Sequence, residues 1–266
     1  MAAQRIVSLV PSLTELLADL GLDAEVVGLT RFCVHPEGWK ARKTIVGGTK
    51  NVDVARVRSL SPTLVIANQE ENVREQVEAI GAFAPVLLTE PGTVDSALLA
   101  IQTIGVSVGR TPEAEHLADE IAKAFAALTP ERHPAGASGA NHASLHPSTS
   151  RIPPRTLYLI WRDPWMSVGG DTYISDVMTR GGFANVCADR ERYPTLTPEA
   201  IRRLAPEVVM LSSEPYPFAE KHIAEFQPLA PEAEIVLVDG EAFSWYGSRM
   251  RIAPGVLRSL RQRLAR

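Results

Sequence analysis

The sequence predicts an α/β protein of two Rossmann-like lobes with parallel sheets, joined by a single long backbone helix. Three observations predict it. Short strands rich in Val, Ile and Leu alternate with helical stretches along most of the chain, the pattern of parallel sheets covered by helices. The stretch at 59–72, SLSPTLVIANQEEN, is echoed at 203–216 by RLAPEVVMLSSEPY. Leu60 matches Leu204, Pro62 Pro206, Val65 Val209, Ala67 Leu211 and Glu70 Glu214, all at one constant offset. Each copy is a helix end, a proline that stops it, a buried strand, and an acid in the loop that follows. Between the copies lies a helical stretch at 111–128.

In order, 5–10 reads as a buried strand and 12–21 as a helix, with Ser12 and Glu15 spaced for a capping box. Strands at 26–29 and 44–46, a helix at 54–60, a strand at 63–67, a helix to about residue 80, a strand at 85–88 and a helix at 94–108 complete the first half. At 111–128, Thr111 suits an N-cap and Pro112 the first helical position. Ala114, Leu117, Ala118, Ile121, Phe125 and Leu128 mark one apolar face at helical spacing. The second half restarts with a strand at 156–161. It continues with a helix at 173–180, a short strand near 185, a helix at 197–204 capped by Thr197, strands at 208–211 and 234–238, and a last helix at 253–264. The resulting division is an N-terminal lobe at 1–110, a bridging helix at 111–128, an insert at 129–155 and a C-terminal lobe at 156–266. The insert is rich in Pro, Ser, Gly and Ala and reads as a disordered surface segment. Its His133, His142 and His146 match no compact ligand spacing and read as part of a solvated loop.

Composition narrows the function. With 266 residues, 45% of them hydrophobic and a formal net charge of −4, the chain has ample core for two lobes and no basic footprint for nucleic acid. No apolar run is long enough to span a bilayer. The N-terminus runs straight into a strand, with no leader, so the protein reads as cytoplasmic as written, and as periplasmic or cell-surface if a native leader has been removed. A monomer is expected. No Gly-x-Ser-x-Gly elbow, phosphate loop or dinucleotide fingerprint is present, which argues against an enzyme.

Ligands of parallel sheets bind at the loops leaving the carboxyl ends of the strands. In the first half those loops carry Arg31, Phe32, Cys33 and His35, then Asn68, Glu70 and Glu71. In the second they carry Trp161, Arg162 and Trp165, then Glu214 and Tyr216, then Trp245, Tyr246 and Arg249. Large flat side chains with a polar edge suit a ringed ligand, and the arginines suit carboxylate, phosphate or amide groups. Cys33 and His35 are candidate metal ligands, with one of the acids to complete a set. His35 is also a candidate axial ligand to a metal already held in a chelate.

These motifs resemble the helical-backbone class of ABC-importer substrate-binding proteins, closest to the cobalamin-binding branch. The resemblance is carried by RIVSLVPSLTELLADLG (5–21), VVGLTRFCVHP (26–36), SPTLVIANQEEN (61–72), WRDPWMSVGGDTYISDVMTRGGFANV (161–186) and TPEAIRRLAPEVVML (197–211). It implies two lobes bridged by a rigid helix and modest lobe motion. It also implies a cobalamin-like or other metal-chelate ligand in the cleft, with no further cofactor, and docking on an ABC permease through one exposed acid per lobe. Glu199 matches the second-lobe acid, and Glu75 is the first-lobe candidate. The chain departs from the branch at Asn68, where an aromatic is expected, and the acids beside it suit a smaller or more cationic complex. The alternative is a cytoplasmic carrier, sensor or chaperone for a metal or metal cofactor, using Cys33, His35 and the cleft acids.

Overall fold

The computed structural model describes residues 4–128 and 152–264. Most of the expected insert, including its three histidines, lies outside the described residues.

The first sheet is wholly parallel. Its strands are β1 (Ile6–Ser8), β2 (Val26–Leu29), β3 (Thr44–Ile45), β4 (Leu64–Asn68) and β5 (Val86–Thr89), in spatial order β3-β2-β1-β4-β5. Its helices are α1 (Pro11–Asp19), α2 (Trp39–Arg42), α3 (Val54–Ser59), α4 (Arg74–Gly81) and α5 (Val94–Ser107), followed by α6 (Thr111–Ala126). The second sheet holds β6 (Arg155–Trp161), β7 (Trp165–Ser167), β8 (Ala184–Asn185), β9 (Thr195–Leu196), β10 (Val208–Ser212) and β11 (Glu234–Val238). Its helices are α7 (Tyr173–Arg180), α8 (Pro198–Leu204), α9 (Glu220–Phe226), α10 (Gly240–Ser244) and α11 (Ala253–Arg263). Strands β11, β10, β6 and β8 are parallel, and β7 and β9 add an antiparallel flank.

The internal echo is a structural repeat. Val65 pairs with Val7 and Val86, and Val209 pairs with Leu157 and Ile235, each on the strand next to the edge of its sheet. The repeat reaches the backbone. Ser61 and Ala205 both adopt the left-handed conformation, with φ of 46° and 42°. Both close a helix by donating their N–H to a carbonyl of its last turn, Arg58 and Arg202. Left-handed geometry costs a non-glycine residue about 1–2 kcal/mol. Here it turns the chain sharply into the proline and the buried strand that follow.

Helix α6 buries the face read from its sequence: Ala114, Leu117, Ala118, Ile121 and Phe125 are all buried. It packs on α5, where Gly105 lies against Ala114 so closely that a Cβ at 105 would collide with it. Its other neighbour is a 3-10 turn of the second half, Ser248–Arg251. Arg251 of that turn pairs with Glu120 of α6 at 3.1 Å and with Asp19 of α1 at 3.2 Å. One apolar cluster runs through Leu13, Leu17, Ile104, Ile121, Tyr158, Phe243, Met250 and Leu257, crossing from one lobe to the other without a break. Shared core of this kind resists wide hinge opening, because separation would expose apolar side chains from both lobes.

Two local expectations are corrected. The N-cap of α6 is Arg110, not Thr111, and it makes no side-chain cap bond. The Ser12–Glu15 capping box does not form: α1 begins at Pro11 after Val10, and Glu15 is held instead by Arg249 in two bonds of 2.8 and 2.6 Å. A bidentate charge-assisted pair outweighs one local cap.

Replacing Ile121 with Ala should destabilise the protein by about 2–5 kcal/mol, the usual cost of truncating a buried aliphatic. Equilibrium urea unfolding measures this, and a loss below about 1 kcal/mol would show that α6 is not a packed element.

Candidate functional site

A cleft of ≈ 750 Å³ lies between the two sheets, within the ~300–1,000 Å³ typical of small-molecule sites. Its first-lobe wall comes from α1, the loops after β2 and β3, and the loops leaving β4 and β5. Its second-lobe wall comes from the end of β6, β7, the start of α7, the loop leaving β10, and α10 with the residues after it.

The loop leaving β4 is organised by Asn68, which is almost fully buried. Its Oδ1 accepts from the backbone N–H groups of Glu70 (2.8 Å) and Glu71 (2.9 Å). Its Nδ2 donates to the Thr89 carbonyl and to Tyr246 Oη, both at 2.9 Å. Tyr246 also bonds Thr89 Oγ1 at 2.7 Å, so a second-lobe tyrosine is locked into the first lobe. Burial pushes its phenol up, out of the range where it could ionise. Asn68 is thus a bracket that fixes the loop bearing two acids of the cleft lining.

Those acids differ. Glu70 accepts from Arg192 Nη1 and Tyr193 Oη, both at 2.7 Å, and Arg192 Nη2 reaches Glu90 at 3.0 Å. This pair of second-lobe residues forms a strap across one rim of the cleft. The strap rests on Gly169 and Gly170, whose N–H groups donate to the carbonyls of Arg192 (2.7 Å) and Arg190 (2.9 Å). A Cβ on Gly169 would strike the backbone of Arg190 and Glu191, and one on Gly170 that of Ala188, in the segment leading into the strap, so both are close-approach positions. Among the described residues Glu71 is bonded only through its backbone N–H. Its carboxyl opens to the solvent-filled cleft, yet enough protein surrounds it that desolvation holds it above the usual glutamate range.

Across the cleft, Glu214 accepts a 2.7 Å bond from Ser244 Oγ. Burial holds it above the usual range, and Glu241 and Glu71 push in the same direction. Glu241 meets Arg249 Nη1 at 3.0 Å and His35 Nε2 at 3.5 Å. Phe32 and Trp161 stand in the cleft 53% and 40% exposed, with Trp245 beside them. Trp161 is braced edge-on by Tyr216 at 5.6 Å, which itself lies behind the wall.

Several sequence candidates lie elsewhere. Cys33 is sealed in the core, within 3.0 Å of Thr14 Oγ1 and 3.2 Å of Thr30 Oγ1. Burial raises its thiol, so it is neither a thiolate nor reachable as a metal ligand. His35 is not itself in the lining and lies behind two residues that are, meeting Glu241 and the edge of Trp245 (5.7 Å). Alternation along this loop sends Phe32 and Val34 into the cleft. Among the described residues no three His, Cys, Asp or Glu side chains converge as a metal site. Trp165 packs outward on Phe218 and Phe226, because β7 alternates and presents Met166 inward. None of the three arginines lines the cleft, and each is held by a protein partner: Arg31 by Asn51 (3.1 Å), Arg162 by Glu225 (2.6 Å), and Arg249 by Glu15 and the cleft acid Glu241. Glu75 and Glu199 are both exposed in the first turns of helices, but they are not repeat equivalents. Glu199 of α8 matches Ala55 of α3, whereas Glu75 sits on α4. Sequence reading missed Lys50, Glu90, Tyr193 and Glu241 in the lining, as well as Arg192 of the strap.

Two α/β lobes on a shared core, both sending aromatic rings and acids into one cleft, have the build of a solute-binding protein. The chain belongs to the periplasmic binding protein family, whose model matches residues 6–231. A vitamin B12-binding protein of Yersinia pestis (strain Pestoides F) is 24% identical over 213 residues, covering 79% of this chain and 70% of the relative. Among solved structures, the periplasmic vitamin B12-binding protein BtuF of Vibrio cholerae is 18% identical with a TM-score of 0.77, covering 99% of this chain and 98% of its own. The periplasmic heme-binding protein RhuT of Roseiflexus sp. RS-1, in apo form, is 21% identical with a TM-score of 0.72, covering 97% of each chain. Both share the fold. Among the described residues no helix is long and apolar enough to cross a membrane.

The raised carboxyl of Glu214 has a sign. The folded state holds its proton more tightly than the unfolded chain. The associated stability is therefore complete below the ordinary glutamate pKa and is lost as pH rises through the folded-state value. Glu214→Gln should melt higher than wild type at pH 7, with the difference vanishing near about pH 4. Melting curves across that range decide it, and a variant less stable at pH 7 contradicts the burial argument.

Proposed function

We propose that this protein captures a flat metal chelate, cobalamin or a related macrocycle, in the interlobe cleft and delivers it to an ABC permease. The observation that carries the reading is the pair of exposed rings, Phe32 from one lobe and Trp161 from the other, lining one cleft with Trp245. Large apolar side chains left open in a concave site mark a ligand surface. The vitamin B12- and heme-binding relatives support the same ligand class.

The lobes are tied by shared core, by Asn68–Tyr246 and by the Arg192 strap. Capture therefore requires small adjustments at the rims, and release requires the strap to part. Delivery to a permease puts the working protein outside the cytoplasmic membrane. Exposed acids, Glu199 foremost and Glu75 on the first lobe, supply docking charges. The alternative of a metal-ion handler built on Cys33 and His35 loses support, since one is sealed in the core and the other is paired with Glu241.

Cyanocobalamin and hemin, titrated separately, test the reading by tryptophan quenching and melting temperature. A specific ligand at 100 times its Kd should stabilise the fold by about 2.7 kcal/mol. Trp161→Ala should weaken binding about 10-fold, as expected for a lost aromatic face, without changing the unliganded melt. Arg192→Ala should speed dissociation more than it changes association. Absence of quenching and of any thermal shift at saturating concentrations of both ligands would overturn the proposal.

A further inference from the structure

We propose that Glu71 and Glu214 are specificity-determining residues that select chelates carrying positive charge or a rim of N–H donors and reject those bearing free carboxylates. This deepens the reading of the cleft as a chelate site and rests on it.

The inference follows from how each charge in the lining is used. Five carboxylates face the cleft: Glu70, Glu71, Glu90, Glu214 and Glu241. Arg192 and Tyr193 satisfy Glu70, Arg192 also takes Glu90, and Arg249 takes Glu241. Glu214 has a neutral donor, the Ser244 hydroxyl, and among the described residues Glu71 makes no side-chain hydrogen bond, only the Lys50 ammonium acting on it through space. The lining cation is Lys50, whose ammonium group donates to the backbone carbonyl of Glu70.

Glu71 leaves β4 and Glu214 leaves β10, the equivalent strands of the two lobes, so the two carboxylates that have no ion-pair partner among the described residues come from opposite walls. Placing a carboxylate ligand between them juxtaposes like charges in a partly desolvated site, which is strongly unfavourable. A cation or an amide N–H gains a charge-assisted bond there instead, and the faces of Trp161, Trp245 and Phe32 also favour cations. The three arginines that could have clamped an anion are held by Asn51, Glu225 and the Glu15–Glu241 pair.

The test uses one ring with two rims. Aquacyanocobinamide is a cationic corrin with an amide rim, and cobyrinic acid is the corresponding corrin with carboxylates in place of the amides. Calorimetric titration of the wild-type protein should favour the amide ring at least 10-fold. In Glu71→Gln/Glu214→Gln, which preserves side-chain shape, the ratio should fall below 3-fold, with cobyrinic acid binding more tightly than to wild type. Equal affinities in wild type, or a preference undiminished in the variant, would overturn the charge assignment while leaving the chelate reading intact. If neither ring binds, a corrin ligand is excluded, and hexaamminecobalt(III) still tests the acids. Its binding to wild type and loss in the variant would uphold them, whereas no binding, or equal binding to both, would end the proposal.

Discussion

The apolar core shared by the two lobes is the constraint on which the rest depends. Leu13 and Leu17 of α1, Ile121 of α6, Met250 of the 3-10 turn and Leu257 of α11 belong to one cluster. At the close crossing of α5 and α6, Gly105 admits Ala114 with no room for a side chain. Ion pairs from Arg249 and Arg251 to Glu15, Asp19 and Glu120 lie over the same seam. Separating the lobes would expose this surface and break those pairs together. The width of the cleft is therefore set by packing rather than left to the ligand.

A cleft of fixed width compels its polar groups to reach a settlement without a ligand. Most do. Asn68 brackets its own loop and ties in Tyr246, and the strap carries the charge of Glu70 and Glu90. Arg249 sits over Trp245 at 5.3 Å while bonding Glu15 and Glu241. What remains unsettled faces the open space: two carboxyls with no ion-pair partner among the described residues, and the rings of Phe32 and Trp161. These groups have the most to gain from a partner, and their chemistry describes that partner.

The sheet repeat was legible because helix, proline, strand and exit-loop acid each leave a local mark, and the match between Leu60 and Leu204 continues to the left-handed residues 61 and 205. The antiparallel flank was not legible. Strands β7 and β9 are three and two residues long, too short for a period, and exist because β6 offers an edge. Helix α10 was hidden in what read as one exit loop, since its five residues are held by the Asp239 cap and by packing. In the site, the loops were legible but the side chains were not. Trp165 and Trp161 look alike in sequence, yet strand alternation sends one outward. Cys33 and His35 suggested a ligand pair, yet one closes the core and the other meets Glu241.

The sequence by itself determined the two-lobe α/β architecture, the helix between the repeats and the loops that would border the cleft. These follow from periodicity and turn chemistry, which act over a few residues. Only the tertiary structure decided which charges are free. Arg31, Arg162 and Arg249 are spent on partners 20, 63 and as many as 234 residues away, and Glu70 on a strap 122 residues away. A charge is neutralised by whatever lies within a few ångströms of it, and at such separations along the chain that neighbour is set by the packing of the lobes.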